Sequence, residues 1–208
     1  KSVLYITMEM SEESIAQRVD ANMLNISLDD LLLMPKNLYT DRMAKLNKKT
    51  NGELIIKEYP TSSVHCGHFR ALLNELKVKK KFVPQLVVVD YINICTSSRL
   101  KGGGMDNSYM LIKSIAEELR GLAVENNFPI ITATQTNRAG FGDTDVDMNN
   151  VSESFGLPAT CDMLLALITT PELDELNQIM VKQLKNRYGD ISTYTRFMLG
   201  IERAKMRL

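Results

Sequence analysis

Leu86–Asp90 reads LVVVD, with Pro84 just before it and Tyr91 just after. Four successive apolar residues, three of them β-branched, end on a carboxylate. A strand apolar at successive positions is covered on both faces, which is the habit of parallel sheets flanked by helices. Similar runs recur on either side. Val3 to Thr7 reads as a strand, as do ELIIKEY (Glu53 to Tyr59, stopped by Pro60), PIITAT (Pro129 to Thr134) and MLLALIT. QIMVKQLKN and YTRFMLGI read as two late strands joined by the turn RYGDIS. Helical patterns lie between them. One runs from the N-cap Ser11 to about Asn22, with Glu12 and Glu13 in the first turn where the helix dipole favours acids. A broken one covers residues 27 to 50 around Pro35, and another runs from His65 to Lys80. A long amphipathic helix covers Ser108 to Glu125, with Leu111, Ile115, Leu119 and Leu122 on one face, and a short helix precedes MLLALIT. This order predicts an α/β fold: a mostly parallel central sheet with helices on both faces. No repeat or linker splits residues 1–208 into separate domains.

Composition narrows the function. The chain has 208 residues and a formal net charge of zero. Zero net charge argues against a protein that coats nucleic acid through a basic surface, while leaving room for local grip by a few loops. Cys66, Cys95 and Cys161 are widely spaced and odd in number, so they form no disulfide framework and suit a reducing cytoplasm. No apolar run reaches membrane-spanning length.

In open parallel sheets, ligands sit beyond the carboxyl ends of the strands. Three strands end there on polar residues: Glu9, Asp90 and Gln135. A hydrophobic strand delivering one Asp to its tip is the Walker B arrangement of nucleotide hydrolases, in which the carboxylate holds Mg²⁺ against phosphates. Such an Asp also serves helix capping and loop hydrogen bonding, and this motif alone leaves both readings open. Gln135 is placed either to sense a γ-phosphate or to cap a loop. Glu9, on a strand expected beside that of Asp90, has the place of a general base for a water attacking the γ-phosphate. Met8 and Met10 read as packing.

YITMEMS, LVVVDYI, ITATQTNR, MNNVSESFGLPATCD and KNRYGD occur in that order. Together they resemble the motor domain of DnaB-type hexameric replicative helicases, which has a RecA-like core. SESFGLPAT with its following Asp is closer to the phage T4-type branch than to the bacterial one. The resemblance runs from Val3 to about Gly189. It implies ATP or another NTP with Mg²⁺ as cofactors, single-stranded DNA as partner, and a homo-hexamer served by a primase and a helicase loader. Glu9 maps to the catalytic base, Asp90 to the nucleotide-bound Mg²⁺, and Gln135 to the γ-phosphate sensor. Lys185, Arg187 and Gly189 match the family's K-x-R-x-G, whose two cations reach the neighbouring subunit's nucleotide. Taken without the other motifs, Lys185 and Arg187 are an exposed turn. Two loops are expected at the central channel, one with Arg99 and Lys101 to Gly104, the other from Thr136 to about Gly156. Arg99, Lys101, Arg138 and Glu153 are the DNA-contact candidates. Asp143, Asp145 and Asp147 weaken the second loop as a phosphate surface, and Ser152 stands where bacterial members carry Arg.

The phosphate cradle GxxxxGK[ST] is absent from the 208 residues. Lys1-Ser2 is not its tail, because a strand follows at once, and Lys101-Gly-Gly-Gly has the wrong order. With the non-Met start, this suggests a motor domain truncated on its N-terminal side, inactive alone, with one side of its sheet exposed. The alternatives are a recombinase-like ATPase of the RecA/RadA type and a non-catalytic paralogue that binds DNA or a partner. His65-Cys-Gly-His68 has the elements of a metal site but no second pair of ligands nearby in sequence, so it also reads as a helix start.

Overall fold

The computed structural model describes residues 1–100, 108–136, 146–151 and 156–208. The first strand, β1 (Val3–Thr7), is followed by helices α1 (Glu12–Leu24), α2 (Leu28–Leu32) and α3 (Lys36–Asn47). Then come β2 (Leu54–Glu58), α4 (Cys66–Lys80), β3 (Leu86–Asp90), α5 (Ser108–Asn126) and β4 (Ile130–Thr132). The remainder is α6 (Gly156–Thr160), β5 (Met163–Ile168), α7 (Pro171–Glu175), β6 (Gln178–Asn186) and β7 (Arg196–Gly200).

Four strands form a parallel sheet in the order β2-β1-β3-β4. The last three form a separate antiparallel sheet, β5-β6-β7. Within the parallel sheet, alternate residues Leu4, Ile6, Val87 and Val89 are buried in one apolar cluster with Phe69, Leu72, Leu76, Ile112, Ile115, Leu119 and Leu122 of α4 and α5. Tyr5 and Val88 point to the other face and are only half-buried. Ile15, Ala21 and Leu31 of α1 and α2 are buried apart from that cluster.

Local signals decide where the helices start. The Ser11 hydroxyl accepts the Ser14 N–H at 3.2 Å and starts α1, and Ser27 does the same for α2. Asn25, in the left-handed region at φ 55°, ends α1. Pro35 stands at the N-cap of α3, so it separates two helices rather than kinking one. Three expectations are corrected. PIITAT is strand only over Ile130–Thr132, because Ala133 and Thr134 turn toward the segment after β3: the Ala133 carbonyl accepts the Ile92 N–H and the Thr134 hydroxyl donates to Asn93. The strand read as YTRFMLGI shrinks to Arg196–Gly200. A helix with Thr170 as N-cap and Pro171 in its first turn was not anticipated.

Candidate nucleotide site

Parallel pairing aligns Thr7 with Asp90, so β1 and β3 end side by side. The ladder continues one step further, with the Met8 N–H donating to the Asp90 carbonyl at 3.1 Å. Beyond it the chain turns sharply. The buried Thr7 hydroxyl donates to the Met10 carbonyl (2.9 Å) and accepts the Met10 N–H (3.1 Å), and the Thr61 hydroxyl donates to the Met8 carbonyl (2.6 Å). Met8 is buried, 3.6 Å from the Cys95 thiol. The backbone on both sides of Glu9 is therefore held while its side chain is exposed. Glu12 completes the frame from α1, accepting Lys57 Nζ at 3.2 Å and the Glu58 N–H at 3.0 Å. The carboxylate thus ends a buried strand without being buried itself.

Asp90 is half-buried at the tip of β3. Its Oδ2 accepts the Tyr5 phenol at 2.8 Å. Tyr5 lies on the same face of β1, two residues back from Asp90's partner Thr7. Burial, then the hydrogen bond to Asp90 and its charge, push the Tyr5 phenol well above its usual range, against a weaker pull from Arg18. Oδ1 has no hydrogen bond among the described residues. Mg²⁺ is held by one or two carboxylates, water and phosphate rather than by an all-protein cage. One carboxylate with one committed oxygen and one available oxygen fits that requirement, and no cluster of three or more possible metal-ligating residues occurs among the described residues. The Asp90–Tyr91 peptide is cis.

Gln135 lies three residues past β4 and is exposed. Its Nε2 donates to the Tyr91 hydroxyl at 3.3 Å, which ties it to the residue after Asp90. Glu9, Asp90 and Gln135 therefore share the carboxyl edge of one sheet.

Lys185 and Arg187 belong to the other sheet, at the end of β6. Lys185 Nζ donates to the Pro158 carbonyl (2.5 Å) and the Ala159 carbonyl (3.1 Å), and Arg187 Nη1 donates to Asp162 Oδ1 (2.7 Å). Their partners are the end of α6 and Asp162, not Glu9, Asp90 or Gln135. Arg99 pairs with Glu117 at 2.8 Å on an exposed surface. Beneath it, buried Glu118 accepts the Ser97 hydroxyl (2.6 Å), the Ser98 hydroxyl (2.8 Å) and the Ser98 N–H (3.0 Å). Lys101, Arg138 and Glu153 lie outside the described residues.

The sequence reading missed Tyr5, Thr7, Thr61, Glu118 and Arg120, the last of which pairs with Asp162 at 2.8 Å beside Arg187. Only Tyr5 carries a local signal, a polar-tipped aromatic inside an apolar run. Thr7 bonds Met10, three residues on, and Thr61, Glu118 and Arg120 depend on contacts distant in sequence. At His65 and His68, both Nδ1 atoms accept backbone N–H groups of the α4 start, so those nitrogens serve as caps.

Comparison with known proteins agrees with this geometry. The family model described as DnaB-like helicase C-terminal domain matches residues 1–201. The chain is 46% identical to the DnaB-like replicative helicase of Enterobacteria phage T4 over 209 residues, covering 99% of this chain and 44% of that protein. It is 27% identical over 144 residues to the replicative DNA helicase DnaB of Synechocystis sp., covering 66% of this chain and 15% of that protein. The chain thus spans less than half the length of these relatives. Its fold matches a solved structure described as an ATPase domain with a TM-score of 0.80 at 15% identity, over all (100%) of this chain and 73% of that one. It also matches a DnaB-like replicative helicase, solved to examine its interactions with primase, at TM-score 0.74 and 16% identity, over 99% of this chain and 49% of that one. With nearly its whole length matched by the family model, the chain belongs to the DnaB-like helicase C-terminal domain family.

Proposed function

We propose that this chain is the nucleotide-hydrolysing motor of a replicative DNA helicase, acting on single-stranded DNA as part of a homo-hexamer. The observation that carries this reading is the parallel register that aligns Thr7 with Asp90, with Gln135 tied to Tyr91 beside them. Glu9 has the exposure and the braced backbone a general base needs to take a proton from an attacking water. Asp90 would hold Mg²⁺ through Oδ1, directly or through water, while Tyr5 keeps Oδ2 occupied. Mg²⁺ held there would supply charge neutralisation to the nucleotide's phosphate oxygens. Gln135 offers a neutral amide to the γ-phosphate or the water. Lys185 and Arg187, held on the second sheet, suit action in trans, where a cation stabilises charge on the phosphoryl group of an adjoining subunit.

The GxxxxGK[ST] cradle is not among these 208 residues, so hydrolysis is proposed for the longer protein and not for this chain alone. Primase and a loader are proposed partners by family, and the cytoplasm, a host's if phage-encoded, is the proposed compartment. The test is ATPase activity of the chain extended upstream through a Gly-rich phosphate-binding segment, with and without Glu9→Gln. Loss of about 10²-fold or more in kcat with nucleotide binding kept is expected. Full turnover in the variant removes Glu9 from the role of base.

A further inference from the structure

Asp162, in the link between α6 and β5, is where two guanidinium groups meet. Arg187 Nη1 lies 2.7 Å from Asp162 Oδ1, and Arg120 Nη1 lies 2.8 Å from the same oxygen. The Arg187 backbone N–H also donates to the Asp162 carbonyl at 2.8 Å. The second terminal guanidinium nitrogen of Arg187 donates to the Ala159 carbonyl (3.2 Å), and Arg120 donates to the Thr160 carbonyl (3.1 Å). Lys185 takes the Pro158 carbonyl. The last carbonyls of α6 have no partner within the helix, and this is its electronegative end. Three cations, from α5 and the end of β6, converge on this end of α6, and the two guanidinium groups among them share the Asp162 carboxylate.

A guanidinium has five N–H donors in a fixed plane. For Arg187, two are committed, one to Asp162 and one to Ala159, from two different terminal nitrogens. These two anchors fix the plane and, among the described residues, leave three N–H groups without a partner, with the side chain partly exposed. A partly exposed ion pair contributes little to folding stability. Its effect is therefore expected in the geometry of the cation, where a small misplacement is costly for catalysis. Sharing Asp162 with Arg120 keeps the cluster net positive while Arg187 is held.

We propose that Asp162 is the positioning residue for Arg187, fixing its guanidinium against the end of α6 so that the uncommitted N–H groups are ready for a phosphoryl group bound by an adjoining subunit. This rests on the proposed trans role of Arg187. Asp162 acts through Arg187 and touches no reacting atom.

The test is steady-state ATPase kinetics of the full-length protein with Arg187→Ala, Asp162→Asn and the double variant. On the proposal, Asp162→Asn lowers kcat about tenfold with nucleotide KM and thermal midpoint little changed. In the Arg187→Ala background it causes no further loss, because both changes remove the same oriented group. Wild-type kcat in Asp162→Asn overturns the proposal, as does a loss that multiplies with that of Arg187→Ala. If Asp162→Asn melts early, Asp162→Glu carries the test. It keeps the charge, moves the carboxylate by one methylene, and is expected to lower kcat; wild-type turnover in it overturns the proposal. Wild-type turnover in Arg187→Ala instead defeats the trans role itself, so the two failures are distinguishable.

Discussion

At the scale of single residues, a buried carboxylate matters because its donors are fixed. Burial alone would raise the Glu118 carboxyl, but the Ser97 and Ser98 hydroxyls and the Ser98 and Arg99 N–H groups reverse this and hold it below its usual range. A carboxyl lowered in the folded state contributes stability above the ordinary carboxylate range, and that stability is lost as pH falls through the lowered value. Glu118→Gln replaces one acceptor oxygen with an NH₂ group facing donors. A loss of about 2 kcal/mol at neutral pH is expected, with a shallower decline of stability in acid. Urea titrations from neutral to acid pH measure both; parallel wild-type and variant curves would contradict this account. Asp90 was readable from its strand, whereas its Tyr5 hydrogen bond was not, because the bond depends on which strand lies beside β3.

At the scale of elements, α4 begins on an unusual cap. His65 Nδ1 accepts the Gly67 N–H at 3.0 Å, and His68 Nδ1 accepts the His65 N–H at 3.2 Å. This is a capping box built from two imidazoles. His65→Ala is expected to cost about 1 kcal/mol, and His65→Asn a few tenths, both read as shifts of the urea midpoint. A Cβ at Gly67 would lie 2.7 Å from His65 Cε1, so Gly67→Ala is expected to push the ring off its cap and cost about as much as His65→Ala. The spacing His65-x-x-His68 was legible from the start. Its use was not, since a metal pair and a cap share that spacing until the rings are oriented.

At the scale of the whole molecule, two sheets expose strand edges. β4 ends the parallel sheet and β5 ends the antiparallel one. Ile131 on β4 is 57% exposed, and Leu167 on β5 is 61% exposed. Apolar side chains on edge strands invite pairing. The 208-residue chain by itself is expected to associate as concentration rises, and Leu167→Lys is expected to reduce this without lowering the thermal midpoint. Sedimentation velocity checks it; a monomer at all concentrations would contradict the expectation. The split into two sheets was not readable from strand order, because apolar runs do not state which strand pairs with which.

The linear sequence determined where most strands and helices lie, though not α7 or the far ends of β4 and β7, because apolar runs, caps and prolines act within a few residues. It also determined which polar residues stand at strand tips, and the order of motifs that marks the family. The tertiary structure decided that β1 lies beside β3, that Tyr5 holds Asp90, and that Asp162 gathers Arg120 and Arg187. Each of those is a contact between residues 25 to 85 positions apart. Such contacts are set by strand order and packing, which no local pattern encodes.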